Sequence, residues 1–188
     1  MDFKESTEAY LAYIKEHKAN VQNAFQELFR PYFAANDDES YDFAGVNSDE
    51  LFKAMLKAKD LCAVHDDSKY DIDEFEDYRI HFYPTDAERQ WIEEGTWDDE
   101  GRFKQAWLLH VSRNPHHPLY WADEDGNPLN DMPLAYVIEA ICDWEAMAKK
   151  FGGSTPEWWR NQADKMQTCM TPATIELVDH LIDKLFDK

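Results

Sequence analysis

The stretch Val64-His65-Asp66-Asp67-Ser68-Lys69 sets a histidine beside an aspartate, with a lysine three residues past that aspartate. It falls at the end of a segment with helical apolar spacing, so His65 is expected to face inward from a last turn. Other polar residues stand where apolar ones belong, or border such positions: His17, His110, His116, His117 and Asp143. Neutral imidazole and ionised carboxylate are the usual ligands of divalent transition metals. One inward histidine is common in a helical core. Several, with no shared partner, would each carry a desolvation cost. The set therefore points to a metal site around His65-Asp66.

The elements that must position these residues are helices, because strand signals are nearly absent. Tyr10, Ile14, His17, Val21, Phe25 and Leu28 step by three or four residues, which predicts a first helix over Ser6–Phe29. Ser48 is a candidate cap for a second helix facing inward with Leu51, Met55, Ala58, Leu61 (or Cys62) and His65. A third, Ile72–Phe82, carries Phe75, Tyr78 and Phe82 and stops before Pro84. Thr85 and Asp86 can cap a short helix through Trp91 and Ile92. The next, Arg102–Val111, puts Phe103, Trp107 and His110 on one face, and the two prolines of Asn114-Pro115-His116-His117-Pro118 then break it. A polar turn follows over Ala122–Asn130. Met132–Lys150 is a long helix with Val137, Ala140 (or Ile141), Trp144 and Met147 (or Ala148) inward, and Asp143 at the border of that stripe. Two more helices open at Ser154-Thr155-Pro156 and Thr171-Pro172, each a capping residue before proline.

Bulk composition narrows the class. A chain of 188 residues reads as one domain and can bury roughly 70% of its unfolded surface without disulfide staples. Cys62, Cys142 and Cys169 are an odd count with no CxxC pair, as in a reduced, cytoplasmic protein. There is no signal-like leader and no apolar run near the ~20 residues that span a bilayer. With 39 acidic against 19 basic residues, the net charge of -20 repels duplex nucleic acid and anionic membranes. A small anion can still be bound where local cations or a metal reverse the field. The acidic stretch Asn36–Ser40 reads as a loop, and no repeat, low-complexity segment or linker interrupts the chain.

In the order His17, His65-Asp66, His110, His116-His117, Asp143, the chain resembles the HD-domain superfamily of metal-dependent phosphohydrolases, whose minimal pattern is H…HD…D. The extra histidines resemble its two-metal branch, which includes the HD-GYP cyclic-dinucleotide phosphodiesterases. His65-Asp66-Asp67-Ser68-Lys69 is similar to the HDxGK form of the central motif. The resemblance covers about Tyr10 to Lys150. The spacing from His17 to His65 is longer than usual, His110 and His116 lie six residues apart, and no Gly-Tyr-Pro follows His116-His117. Cyclic-dinucleotide hydrolysis is therefore not carried over. The chain is also similar to a phage and bacterial group sharing HDxSK, NxHHP and DW blocks, which implies no activity.

The resemblance implies an all-α, HD-like bundle of about seven helices in a single domain, residues 1–188, with a metal-site core over about 10–150 and helices 155–188 packed on it. It implies that His17, His65, Asp66 and Asp143 surround one ion, with Asp66 able to bridge to a second held by His110 and by His116, His117 or both. One or two divalent ions (Mn, Fe, Co, Ni or Zn) would activate water, Asp66 and Lys69 would serve catalysis, and Lys69, Arg79 and Arg113 would meet a substrate phosphate. His81 and His180 fall outside the series and read as structural or exposed. Trp121 and Trp144 read as core or as pocket walls, and Glu157-Trp158-Trp159-Arg160 as a segment that could close over the site. The leading function is phosphohydrolysis of a nucleotide or similar small phosphate ester. A di-iron oxygenase uses the same ligands, and a non-catalytic acidic interaction protein would use them only as a structural staple.

Overall fold

The computed structural model describes residues 1–33, 46–162 and 165–186. The acidic loop expected at Asn36–Ser40 lies outside them. Among the described residues the protein is all-α, with no strand. The helices are α1 (Phe3–Leu28), α2 (Arg30–Phe33), α3 (Ser48–Ala63), α4 (Ile72–Phe82), α5 (Asp86–Glu93), α6 (Asp99–Arg113), α7 (Leu134–Phe151), α8 (Thr155–Arg160) and α9 (Pro172–Phe186). No helix among the described residues is long and apolar enough to cross a membrane. The chain forms two compact units, Met1–His17 with Asp66–Asn114, and Lys18–His65 with Pro115–Lys188. It passes from one to the other at 17/18, inside α1, at 65/66 and at 114/115.

In the first unit α1 starts earlier than the expected Ser6. Asp2 Oδ1 accepts from the Glu5 amide at 2.9 Å, and Glu5 Oε2 accepts from the Asp2 amide at 2.8 Å. This reciprocal cap satisfies two of the helix's orphan donors. The Ser6 hydroxyl is thereby left to donate to the Tyr83 carbonyl at 2.6 Å. Tyr10 and Ile14 of α1, Tyr78 of α4 and Ala106 of α6 form the core, with Phe75 tilted against Tyr10 at 5.0 Å. Phe82 is half exposed and meets Phe103 edge-on, while Glu74 and Arg79 of the same helix are buried. Thr85 and Glu88 cap α5 reciprocally, and Glu88 also receives both terminal nitrogens of Arg79.

The second unit is built around α7. Nine of the twelve residues from Ala135 to Ala146 are buried, because α3, α8 and α9 all pack on this helix. Each fully buried Ile, Val or Leu contributes roughly 1.5–3 kcal/mol by leaving water. The α3 stripe is Leu51, Met55, Ala58 and Cys62, as the spacing predicts. Its cap is Asn47 rather than Ser48: the Asn47 side chain accepts from the Glu50 amide at 2.9 Å. Thr171 caps α9 as expected, accepting from the Thr174 amide at 3.2 Å. Ser154 makes no side-chain cap for α8, and the Thr155 hydroxyl donates instead to Glu145 at 2.7 Å. Trp159 does not lie free to cover a site. It is stacked on Trp144 at 5.4 Å and donates its indole N–H to Asp179 at 2.6 Å. Trp121 packs on Tyr136 and donates to the Pro115 carbonyl. All three cysteines are free, buried thiols.

Candidate metal sites

In the first unit, α1 carries His17 one turn past Ile14, so the histidine is buried on the apolar stripe, with the Tyr13 ring parallel to its own at 6.2 Å. Asp66 follows the end of α3 and adopts a left-handed backbone with φ 56°, among the described residues the one non-glycine with positive φ. Aspartate tolerates that region better than most residues, and such strain tends to sit at functional positions. The strained backbone aims its two oxygens differently. Oδ1 lies 3.2 Å from His110 Nε2, and Oδ2 lies 3.6 Å from His17 Nε2. Lys69 Nζ, one 3-10 turn on, reaches the same Oδ2 at 2.6 Å and stands over the Tyr78 ring. Burial disfavours its ammonium, but the Asp66 charge outweighs that and raises the lysine's pKa.

His110 is held from its other nitrogen. Its Nδ1 faces Glu74 Oε2 at 3.0 Å. Glu74 is fully buried, and it also receives the Ser68 hydroxyl at 2.9 Å and Arg113 Nη1 at 3.1 Å. Burial pushes the Glu74 carboxyl up, but these donors outweigh it and hold the group below its usual range. Asn114 closes the ring of partners, donating to the Ser68 hydroxyl and to the His110 carbonyl.

The second unit repeats the arrangement. His65 Nδ1 faces Glu139 Oε1 at 3.0 Å, and its Nε2 lies 3.7 Å from Asp143 Oδ1. Glu139 and Asp143 are one helical turn apart on α7, so a single helix face addresses both nitrogens of one ring. His116 joins from the Pro-bounded loop, with its ring 4.3 Å from His65 and its Nδ1 3.4 Å from the same Glu139 oxygen. His117 lies beside His116 at 4.2 Å between rings. His65, His116 and Asp143 each present a donor atom within 4.8 Å of the others. Burial raises the Glu139 carboxyl, but the bonds to His116 and His65 prevail and lower its pKa.

These geometries fit a divalent ion. Two donors on an ion with bonds of about 2.1 Å lie roughly 3.0–3.4 Å apart at octahedral or tetrahedral angles. The three Nε2–carboxylate separations of 3.2, 3.6 and 3.7 Å fall at or slightly beyond that span. In both units a buried carboxylate takes the Nδ1 side of a histidine and turns Nε2 toward a second carboxylate. That is how metal-ligating histidines are usually oriented. His65 and Asp66 are consecutive in the chain and belong one to each unit.

Sequence reasoning missed Glu74 and Glu139. Glu74 looks like a first-turn acid that complements the helix dipole. Glu139 left a trace: it is a charge within the apolar run Leu134–Cys142, one turn before Asp143. Two expected phosphate contacts are occupied otherwise. Arg79 is 1% exposed and spent on Glu88, Glu76 and Ser6. Arg113 clamps Asp73 and Glu74, so it steadies the partner of His110. His81 is outside both sets, bonded to Asp99 at 2.8 Å and stacked on Phe103.

A family described as "Family of unknown function (DUF5662)" matches residues 6–184. The chain belongs to that family. No curated protein and no solved structure matches it.

Glu139→Gln tests the orienting role. The amide keeps one acceptor but loses the charge that fixes His65 and His116. Metal affinity is expected to fall about 10–100-fold with the thermal midpoint little changed. Calorimetric titration with Mn²⁺ or Zn²⁺ reads this directly, and equal affinity in the variant would remove Glu139 from the site.

Proposed function

We propose that this protein is a metal-dependent phosphohydrolase of the HD-like type, acting on a nucleotide or another small phosphate ester. The observation that carries the reading is the doubled pattern of histidines oriented by a buried carboxylate, with Asp66 offering one oxygen to His17 and the other to His110. A carboxylate split in this way suits a bridging ligand. The order of His17, His65-Asp66 and Asp143 along the chain, similar to H…HD…D, supports the same reading. Bound divalent ions, of Mn, Fe, Co, Ni or Zn, supply a water activated near neutral pH and positive charge for a transferring phosphoryl group.

The chain's own residues do the rest. Glu74 and Glu139 keep the Nδ1 protons of His110 and His65, so that Nε2 is the ligating atom. His116, and His117 beside it, extend the second set. Lys69 is the cation nearest Asp66 that can meet a substrate phosphate. In a protein of net charge -20, ions and this lysine are what make an anionic substrate acceptable. The three buried thiols accord with a cytoplasmic location.

Elemental analysis of protein purified without added metal or chelator, followed by a phosphate-release screen of nucleotides and phosphodiesters, tests the proposal. Bound transition metal with turnover of a phosphate ester is the expected result. Iron with oxygen-dependent turnover and no phosphate release would overturn it in favour of an oxygenase. Absence of metal even after soaking would leave the histidines as fold staples.

A further inference from the structure

The same Asp66 oxygen has two suitors. Oδ2 lies 3.6 Å from His17 Nε2 and 2.6 Å from Lys69 Nζ. An ion ligated by His17 and Oδ2 would bring two positive charges against the ammonium on one buried oxygen. At these distances and in a partly desolvated place, like charges repel strongly. The two cations cannot share the site on equal terms.

Lys69 is suited to hold that oxygen while no ion is there. Asp66 is 3% exposed and its backbone is in a costly conformation, so it needs fixed partners. The lysine supplies two bonds from one turn: its amide donates to the Asp66 carbonyl at 3.0 Å and its ammonium to Oδ2. It is also suited to leave. Its side chain is 12% exposed, it stands on a turn whose neighbours Asp67 and Tyr70 are exposed, and four rotatable bonds separate its charge from the backbone.

We infer that Lys69 is a stand-in cation: its ammonium holds Asp66 in the ligating conformation until a divalent ion takes Oδ2, and the displaced ammonium then becomes available to an anionic phosphate. The inference rests on the metal-site reading above and adds to it an order of events. Metal loading both completes the ligand set and frees the phosphate-binding charge, so an unloaded protein presents neither. The counterpart in the variant lacking the lysine is a buried carboxylate with its cation removed, and an ion gains by relieving it.

The test uses the full chain and Mn²⁺. Calorimetric titration of wild type, Lys69→Met and Lys69→Arg compares affinities, and amine acetylation read by peptide mass spectrometry follows Lys69 in the wild type with and without Mn²⁺. Lys69→Met is expected to bind Mn²⁺ about tenfold or more tightly than wild type. Lys69→Arg, which keeps the charge, is expected not to gain. Labelling of Lys69 in the wild type is expected to rise severalfold on Mn²⁺ addition. The labelling arm stands even if Lys69→Met fails to fold. Mn²⁺ binding that Lys69→Met leaves equal or weaker, or Lys69 labelling that Mn²⁺ leaves unchanged or lowers, overturns the inference alone. No Mn²⁺ binding by wild type or either variant overturns it together with the metal-site reading.

Discussion

Asp66→Asn is expected to lower metal affinity by at least about 100-fold, beyond the 10–100-fold typical of groups outside the ligand shell, and, on the phosphohydrolase proposal, to abolish phosphate-ester turnover. The reason is local. Asp66 turns Oδ1 to His110 and Oδ2 to His17, and it is the carboxylate that both Nε2 atoms address in the first unit. The amide has the same size and is as tolerant of φ 56° as aspartate, so the backbone turn is preserved. It removes the charge and puts an N–H₂ group where one carboxylate oxygen stood. Asp66→Ala would confuse two effects, since an alanine there carries a left-handed penalty of roughly 1–2 kcal/mol. Metal content by elemental analysis, with a melting curve as the folding control, gives the answer. Full metal content in Asp66→Asn would place the ion elsewhere.

The second large effect concerns stability. Arg79→Leu is expected to cost about 3–5 kcal/mol, the usual range when one partner of a buried ion pair is removed. Arg79 is 1% exposed, pairs both terminal nitrogens with Glu88 and also reaches Ser6 and Glu76. Its loss would leave the Glu88 carboxylate buried beside the Thr85 cap. The double variant Arg79→Leu, Glu88→Leu is expected to recover part of the deficit: the buried charge of this pair is gone, while the Glu88 half of the α5 cap is lost with it, at about 1 kcal/mol.

The same pair sets a pH dependence. Burial pushes the Glu88 carboxyl up, but Arg79 and the Thr85 amide outweigh it, so its pKa in the folded protein is lowered. A depressed carboxyl stabilises the fold above the unfolded value of about 4.3 and loses that contribution as pH falls through the folded value. The gap between wild type and Arg79→Leu should therefore close in acid. Urea melts at neutral pH and below pH 4 would read it, and a gap independent of pH would mean that lost packing, not charge, is responsible.

Much of the local architecture was legible from residue order alone. Helix punctuation was strong: Pro84 after α4, the two prolines after α6, glycine past α7, and proline at the head of α9 all sit where the backbone requires them. The α1 stripe placed His17 inward because three- and four-residue spacing leaves it no other face. The histidines and aspartates were conspicuous for the same reason, as polar groups on apolar faces. Chemical type and helical period are local properties, and they determined the all-α class and the residues worth asking about.

What needed the tertiary structure was which partner each group has. A charged residue on a helix is by default solvated, and nothing near Arg79 in the chain says that it will be buried on a capping glutamate nine residues away. Glu139 meets His65 across 74 residues of sequence, and Glu74 meets His110 across 36. Neither pairing follows from a period. The sequence by itself determined where imidazoles and carboxylates face inward; only the fold decided which carboxylate takes each Nδ1, and so which nitrogen is turned toward a second carboxylate. Orientation of a ring depends on the hydrogen bond at its far side, and that bond comes from a different helix.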